Sequence, residues 1–161
     1  MIRYASPADH AAIDSVTTAA FGGDDEARII ARLRADDDAM FEMVAEADGQ
    51  IVGHIMFSRL WADRDDLYAA LAPLSVAPDL QRTGLGAALV RAGLSGAQQF
   101  GAVGVLVLGD PAYYGRFGFA ADTARLVEAP YRGLPAFMGL GFVDGAFEGP
   151  MTVAYPSAFG D

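Results

Sequence analysis

Hydrophobic residues recur along this chain with two different spacings, and the change from one to the other predicts the order of its elements. A short strand is predicted over residues 2–5 and an amphipathic helix over about 7–20. The helix is opened by Ser6-Pro7-Ala8-Asp9, which supplies a cap residue, a proline at the first helical position and an acid in the first turn. A second amphipathic helix is predicted from Asp24 to about Asp36, and acids in its first turn complement the positive end of that helix.

Alternating hydrophobic and polar residues predict three strands in the middle of the chain. Residues 41–47 and 50–59 flank Asp48-Gly49, a dipeptide typical of a tight antiparallel hairpin. A further strand is predicted over residues 67–76, interrupted by Pro73. Because proline cannot donate a ladder hydrogen bond, we expect this strand to lose pairing on one side over its last residues, which leaves backbone groups able to bind a ligand.

A helix over about 84–99 and a buried strand over 102–108 complete a strand–helix–strand unit, which we expect to be parallel and right-handed. Ligands of such units lie at the carboxyl ends of the strands. Those ends lead into the turn at 81–86 and into Gly109-Asp110-Pro111, so we expect both loops to face one crevice. The rest of the chain predicts a short helical turn at 112–116 and a terminal antiparallel hairpin formed by 135–142 and 150–155.

The length and composition favour one soluble domain. With 161 residues, 53% of them hydrophobic, the chain can bury a sizeable core, and we predict a single domain over residues 1–161. No apolar run reaches the roughly 18 residues that a membrane span needs. The N-terminal residues lead directly into the capped helix and do not resemble a signal peptide. We therefore expect a cytoplasmic protein with no membrane partner.

The residue types that are absent exclude several kinds of catalysis. The sequence contains no cysteine and no lysine, and its two histidines are His10 and His54. Thiolate metal sites, cysteine nucleophiles and lysine Schiff bases are therefore excluded, and we expect no metal cofactor. The formal net charge of −10 repels nucleic-acid phosphates, so we expect no nucleic-acid partner, although a cationic substrate is compatible with it.

The turn Gln81-Arg82-Thr83-Gly84-Leu85-Gly86 carries the strongest functional signal. The first N–H groups of a helix have no intrahelical partner and carry about half a positive charge, so they bind anions through the backbone alone. Glycines at 84 and 86 let a ligand approach, and the arginine adds a permanent charge. A Walker loop needs a lysine, and a dinucleotide fingerprint needs a third glycine where this chain has Leu89. The alternative interpretation is that the glycines only let the helix begin and pack closely on the sheet.

This turn matches the pattern Q/R-x-x-G-x-G/A and resembles the pyrophosphate-binding motif of the GNAT superfamily of acyl-CoA-dependent N-acyltransferases. The segment Tyr113-Tyr-Gly-Arg-Phe-Gly-Phe119 resembles a second family motif, and the ending 153–159 is similar to that of a bacterial branch of predicted N-acetyltransferases. The resemblance covers essentially the whole chain. It implies a GNAT fold of the α/β class, with a central mixed, twisted sheet of about seven strands flanked by helices and a strand–helix–strand cradle for acyl-CoA.

The resemblance also implies roles for individual residues. The backbone of Leu74, Ser75 and Val76 is expected to pair with the pantetheine arm of acetyl-CoA. Tyr114 is expected to protonate the departing CoA thiolate, since a phenol stays protonated at neutral pH; the alternative is that it is a core aromatic. The CoA phosphates are expected to lie on the cradle residues Gln81, Arg82, Thr83, Gly84, Leu85, Gly86, Ala87 and Arg116.

The sequence departs from the family at the position of the catalytic base. Relatives place a glutamate on a strand where this chain has Leu74 and Leu106, and this chain also lacks an asparagine before the tyrosine segment. An alkylammonium has to lose its proton before its nitrogen can attack a thioester. Glu26 is the first candidate to accept that proton, because the start of this helix borders the acceptor cleft in the fold. His54 is the second candidate and Asp66, in a polar loop, is the third.

Together these residues predict an acetyl-CoA-dependent N-acetyltransferase in which a primary amine attacks the thioester directly within a ternary complex. Two alternatives stay open: a catalytically silent acyl-CoA-binding or regulatory module, suggested by the missing strand glutamate, and an O-acyltransferase on the same fold. The expected partners are acetyl-CoA and an amine acceptor. The sequence leaves open whether that acceptor is a small amine, an antibiotic, a peptide or a protein, and whether the protein is a monomer or a homodimer.

Overall fold

Eight strands form one mixed sheet with helices on both faces, in a computed structural model that describes residues 1–160. The strands are β1 (Ile2–Tyr4), β2 (Ala39–Ala47), β3 (Gln50–Ala62), β4 (Leu67–Val76), β5 (Ala102–Leu108), β6 (Val127–Glu128), β7 (Phe137–Gly141) and β8 (Met151–Ala154). The helices are α1 (His10–Phe21), α2 (Asp25–Ala35), α3 (Leu85–Phe100) and α4 (Pro111–Tyr114). The predicted α/β class with a mixed sheet is confirmed, with eight strands where about seven are predicted.

The strands follow the order β1-β2-β3-β4-β5-β7 across the sheet. Every neighbouring pair in this order is antiparallel except β4 and β5, which are parallel and joined by α3. This is the predicted strand–helix–strand unit. The remaining two strands lie beside the end of β3, where β8 pairs with Trp61 and Ala62, and β6 pairs with β8 in parallel.

Burial on both faces of β3 explains the two helical layers. Ile55 and Phe57 point toward α3, and Gly93 of that helix lies so close that an added Cβ atom would be 2.5 Å from the Phe57 ring. Met56 points the opposite way and packs with buried residues of α1 and α2. Each fully buried aliphatic or aromatic side chain contributes about 1.5–3 kcal/mol, so both layers stabilise the same central strand.

The hairpin between β2 and β3 has the turn that the sequence predicts. Ala47 pairs with Gln50, which leaves a two-residue turn at Asp48 and Gly49. Both turn residues have positive φ values, 52° and 76°, as the mirror-image turns of tight hairpins require. The predicted hairpin is therefore confirmed.

The start of the first helix differs from its prediction. Residues Pro7–Asp9 form a 3-10 turn, and α1 begins only at His10. The Asp9 carboxylate accepts the Ser6 N–H at 2.8 Å and also binds Arg3 at 2.8 Å. These hydrogen bonds tie the turn back to β1 and delay the regular helix by about one turn.

The predicted terminal hairpin is wrong. β7 pairs with β5 on the opposite side from β4, through contacts such as Leu108 with Phe137, whereas β8 pairs with β3 and β6. An alternating pattern identifies a strand and its buried face, but it does not identify the neighbouring strand. β6 is absent from the prediction because two residues are too few to show a period.

The helices of residues 1–160 are short, and their acidic side chains are dispersed. The longest helix, α3, has 16 residues. No helix in this part of the chain is both long and apolar enough to cross a bilayer. Within the same residues, no three His, Asp or Glu side chains are grouped so that they could hold a metal ion.

The parallel strands β4 and β5 separate before β4 ends. Their pairing runs only from Leu67, opposite Ala102, to Ala70, opposite Leu106. Beyond this point β4 continues to Val76 with β3 as its sole partner strand. The predicted loss of pairing near Pro73 is confirmed, and it opens a gap in the sheet at the carboxyl ends of the two strands.

A partly buried polar network lies between the sheet and the layer of α1 and α2. Arg34 of α2 donates two hydrogen bonds to the Glu42 carboxylate, at 2.9 and 2.7 Å. Nε2 of the fully buried His54 lies 2.9 Å from the same carboxylate. Burial opposes ionisation of Glu42, but the hydrogen bonds and charges of its partners outweigh that effect and lower its pKa to about 2.

This network predicts how stability changes at acid pH. The folded pKa of Glu42 is about 2 and its ordinary value is 4.5, so its contribution is complete above pH 4.5 and is lost as the pH falls through 2. The difference corresponds to about 3 kcal/mol. We expect Glu42→Gln to lower the free energy of unfolding at pH 7 by about this amount and to flatten its dependence on pH between 4.5 and 2, measured by urea denaturation.

Asp24→Asn is the matched control, because Asp24 pairs with Arg28 on the exposed face of α2. Exposed pairs contribute little, so this variant should change stability by less than about 1 kcal/mol. A Glu42→Gln protein with the same acid titration of stability as the parent would contradict the assignment.

Candidate functional site

The gap between β4 and β5 opens into two cavities that share Leu74. The cradle cavity has a volume of about 520 Å³ and is lined by Leu74, Val76, Gln81, Arg82, Gly84, Gly86, Ala87, Tyr113 and Arg116. The side cavity has a volume of about 470 Å³ and is lined by Phe21, Glu26, Ile29, Leu71, Ala72, Pro73, Leu74, Leu108, Gly109, Tyr114 and Phe159. Both volumes fall within the range of small-molecule sites, roughly 300–1,000 Å³. The turn at 81–86 lines the cradle cavity and Gly109 lines the side cavity, so the two loops face neighbouring cavities where a single crevice is predicted.

The backbone of β4 presents alternate residues to the gap. Ala77 donates its N–H to the Val52 carbonyl of β3 at 2.8 Å. Hydrogen-bonded pairs alternate along an antiparallel ladder, so Ser75 is the next residue whose backbone groups point to β3. It follows that Leu74 and Val76 direct their backbone groups the other way, into the gap.

Ser75 therefore does not match its predicted role. Its backbone groups belong to the ladder with β3, and its side chain is buried, with the Oγ atom 3.3 Å from Thr17 Oγ1 of α1. The prediction gives three successive residues the same role. A strand, however, directs the backbone groups of only every second residue to a ligand on one side. Leu74 and Val76 keep the predicted position.

The turn before α3 is shaped by its own hydrogen bonds. Gln81 Nε2 donates to the Val76 carbonyl at 3.1 Å, and Thr83 Oγ1 donates to the Leu80 carbonyl at 2.5 Å. Arg82 and Gly84 have φ values of 64° and 91°, in the left-handed region that glycine adopts freely. The chain thereby turns so that the first residues of α3 line the cradle cavity.

The first turn of α3 supplies free backbone donors to this cavity. The first intrahelical hydrogen bond runs from Ala88 N–H to the Gly84 carbonyl at 3.0 Å. The N–H groups of Leu85, Gly86 and Ala87 precede it and have no acceptor within the helix. At Gly86 an added Cβ atom would lie 2.8 Å from the Tyr113 hydroxyl, so glycine leaves room for this tyrosine beside the start of α3.

Two arginines add positive charge to the cradle cavity. Arg82 and Arg116 both line it, and none of the lining residues is acidic. The Arg116 guanidinium lies 4.6 Å from the centre of the Tyr113 ring, and its Nε donates to the Tyr113 carbonyl at 3.3 Å. Free N–H groups at a helix start beside two guanidiniums favour an anion such as a diphosphate.

Thr83 and Leu85 belong to the predicted cradle but do not line the cavity with their side chains. The Thr83 hydroxyl is used within the turn, and Leu85 packs against the core beneath α3. Their contribution to a ligand is therefore limited to the backbone. The structure brings together the other predicted cradle residues, namely Gln81, Arg82, Gly84, Gly86, Ala87 and Arg116.

Tyr114 lies in the wall of the side cavity. Asp110 caps α4 by accepting the Ala112 N–H at 3.0 Å, which fixes the start of the segment. The Tyr114 ring then packs directly over Gly109, where an added Cβ atom would lie 2.5 Å from the ring. Burial raises the pKa of Tyr114 to about 12, with a smaller contribution from Tyr113, so the hydroxyl is protonated at neutral pH.

The three candidate proton acceptors lie in different places, and Asp66 is exposed in the loop before β4 and lines neither cavity. Glu26, in the first turn of α2, is partly buried and lines the side cavity together with Tyr114. His54 lines neither cavity, contrary to its prediction as an acceptor at the site. It lies inside the partly buried network with Glu42, and burial lowers its pKa.

Several lining residues are not among the predicted site residues. Tyr113 lines the cradle cavity, although the sequence places it only next to the family tyrosine. Phe21, Ile29 and Phe159 line the side cavity and come from three separate segments. Of these, only Phe159 lies in a segment that the sequence singles out, the ending at 153–159.

The sequence is similar to a family model and to curated relatives. A model described as "Acetyltransferase (GNAT) family" matches residues 10–119. The Escherichia coli K12 protein named uncharacterized N-acetyltransferase YhbS is 38% identical over 121 residues, which are 74% of this chain and 72% of that protein. The family match includes the turn at 81–87 and the segment at 113–119, both of which contribute to the cradle cavity.

Two solved structures are similar over nearly the whole chain. The crystal structure of YhbS from Escherichia coli in complex with CoA gives a TM-score of 0.92 at 33% identity, covering 100% of this chain and 92% of that one. A GNAT family acetyltransferase from Brucella melitensis, in complex with acetyl-CoA, gives a TM-score of 0.83 at 36% identity, covering 99% of this chain and 97% of that one.

Proposed function

This chain belongs to the acetyltransferase (GNAT) family, as its sequence motifs predict, and we propose that it transfers an acetyl group from acetyl-CoA to a primary amine. One observation carries the proposal. A cavity suited to a diphosphate meets, at Leu74, a second cavity that holds a carboxylate and a phenol. The similar structures that contain CoA and acetyl-CoA support acetyl-CoA as the cosubstrate.

In the proposed complex, the cofactor lies along the cradle cavity. The diphosphate binds the free N–H groups at the start of α3, and the two arginines of the cradle neutralise its charge. The pantetheine arm extends along the unpaired edge of β4, where the backbone groups of Leu74 and the N–H of Val76 face the gap, while the Val76 carbonyl accepts from Gln81 Nε2. This places the thioester beside Leu74, at the junction of the two cavities.

The acetyl transfer then needs two proton movements. The amine nitrogen attacks the carbonyl carbon, a C–N bond forms and the C–S bond breaks. Glu26 accepts the proton that the nitrogen loses, and Tyr114 donates its phenolic proton to the leaving sulfur. The protein contributes proximity, since both substrates are held in cavities that share one wall residue.

A second candidate function is a catalytically silent acyl-CoA-binding module. It is favoured by the apolar side chains at the strand positions where relatives carry a glutamate: Leu74 lines both cavities and Leu106 is fully buried. Such a module binds acetyl-CoA in the cradle cavity and transfers no acetyl group. The two functions differ in thiol release and not in cofactor affinity.

The reaction itself is tested by following release of the CoA thiol from acetyl-CoA across a panel of amines and matching alcohols. We expect thiol release that depends on the amine and on its neutral form, so that the rate rises with pH. Binding of acetyl-CoA without thiol release for any acceptor would favour the silent module, and release with alcohols alone would indicate O-acyl transfer.

The cradle assignment predicts a loss of cofactor binding in Gly86→Val. Acetyl-CoA at 100 times its dissociation constant should stabilise the parent protein by about 2.7 kcal/mol, seen as a rise in melting temperature. The valine side chain blocks the approach to the α3 amides, so the variant should show no rise. Gly23→Val is the control, because open space surrounds Gly23. A folded Gly86→Val protein with a normal rise would refute the cradle.

The role of Tyr114 is tested with Tyr114→Phe, which keeps the ring over Gly109 and removes the hydroxyl. Loss of a donor to the leaving thiolate should lower kcat by roughly 10- to 1,000-fold while acetyl-CoA affinity and melting temperature stay near those of the parent. Tyr4→Phe, at an exposed position outside both cavities, should leave all three unchanged. Full activity in Tyr114→Phe with reduced stability would make the residue a core aromatic.

A further inference from the structure

The composition of the side cavity indicates what kind of acceptor it can hold. Its walls are aromatic and aliphatic side chains, and among residues 1–160 Glu26 is the only charged residue that lines it. We propose that the acceptor is a small primary amine with an apolar aryl or branched alkyl body, held with its ammonium group at Glu26. This inference rests on the proposed function and names its substrate class.

The apolar walls come from segments that are far apart in the sequence. Phe21 ends α1, Ile29 lies in α2, and Phe159 lies in the last 3-10 turn. The Phe159 ring is supported by an edge-to-face contact with Tyr155, and the two ring centres are 6.1 Å apart. An apolar body therefore replaces water along three sides of the cavity, whereas a polyhydroxylated or polycationic acceptor loses hydrogen bonds that these walls cannot replace.

The Glu26 carboxylate is available for a ligand. Within residues 1–160 it forms no ion pair or side-chain hydrogen bond, whereas its neighbour Asp24 binds Arg28 at 2.9 Å. An acid in the first turn of a helix also complements the helix dipole, and Asp25 satisfies that requirement equally well. Only Glu26, however, lines the side cavity. Comparing the two residues therefore separates a ligand-binding role from a general helix-stabilising one.

The size of the cavity favours a small molecule. Its volume of about 470 Å³ lies within the range of sites that enclose most of a ligand's surface. A lysine side chain fills only a narrow part of such a space, and the peptide around it brings polar backbone groups to a cavity lined mostly by apolar side chains. Preferred binding of a peptide or protein acceptor would therefore count against the proposal.

The experiment measures binding by calorimetry at pH 7.5, with protein saturated with CoA. The probes are 2-phenylethylamine, cyclohexylmethylamine, spermidine, an aminoglycoside, a lysine-containing peptide and 2-phenylethanol. We expect the two apolar amines to bind at least about 10-fold more tightly than the other amines and than the alcohol, which lacks the ammonium group. Tighter binding of spermidine, the aminoglycoside or the peptide would overturn the proposal.

Variants test whether Glu26 binds the ammonium group of the ligand and whether Phe159 binds its apolar body. Glu26→Gln should weaken binding of 2-phenylethylamine at least about 10-fold and leave 2-phenylethanol unchanged. Phe159→Ala should weaken both, and Phe159→Leu serves if the alanine variant does not fold. Asp25→Asn is the matched control and should bind both probes as the parent does. Unchanged amine binding in Glu26→Gln would overturn the proposal even if acetyl transfer is observed.

Because binding is measured without turnover, the two hypotheses fail separately. Selective binding of apolar amines with no thiol release from acetyl-CoA would refute the proposed function and keep the ligand class. Thiol release with polar amines as the preferred acceptors would keep the proposed function and refute the ligand class. If CoA itself does not bind, the same titration without CoA still tests the side cavity.

Discussion

The separation of β4 from β5 is the constraint on which the site depends. The two strands pair in parallel up to Ala70 and Leu106, and the sheet then has a gap at their carboxyl ends. Continued pairing to the end of β4 would fill that gap with ladder hydrogen bonds. Instead, the pairing ends before Pro73, and the backbone groups of Leu74 and the N–H of Val76 stay available to a ligand. Both cavities open from this gap, and Leu74 lines the two of them.

The charges around the gap are divided in a way that suits two different substrates. The protein as a whole carries a formal net charge of −10, yet the cradle cavity contains two arginines, free helix N–H groups and no acid. The side cavity contains one carboxylate within apolar walls. The cradle cavity therefore attracts an anionic cofactor, and the side cavity attracts a cationic acceptor. The rest of the surface is negative and repels other anions.

The sequence predicted the features that local chemistry determines. The hairpin at Asp48-Gly49, the lost pairing near Pro73 and the glycine turn that starts α3 beside a cavity each follow from a few adjacent residues. Features that depend on register or on distant segments were not predictable in this way. Whether Ser75 or Leu74 faces the gap is set by the pairing with β3, and the walls at Phe21 and Phe159 meet only in the folded chain. For the same reason the partners of β7 and β8, and the burial of His54 beside Glu42, required the structure.

In the proposed complex the two cavities hold the cofactor and the acceptor at the same time, with the reacting atoms beside Leu74. A conjugate that joins the CoA sulfur through an acetyl bridge to the nitrogen of 2-phenylethylamine tests this most directly, because one molecule has to occupy both cavities. Calorimetric titration should give an affinity at least about 100-fold higher than that of CoA alone, since the second half binds intramolecularly. An affinity no higher than that of CoA would show that the cavities cannot be filled together and that the proposed complex does not form.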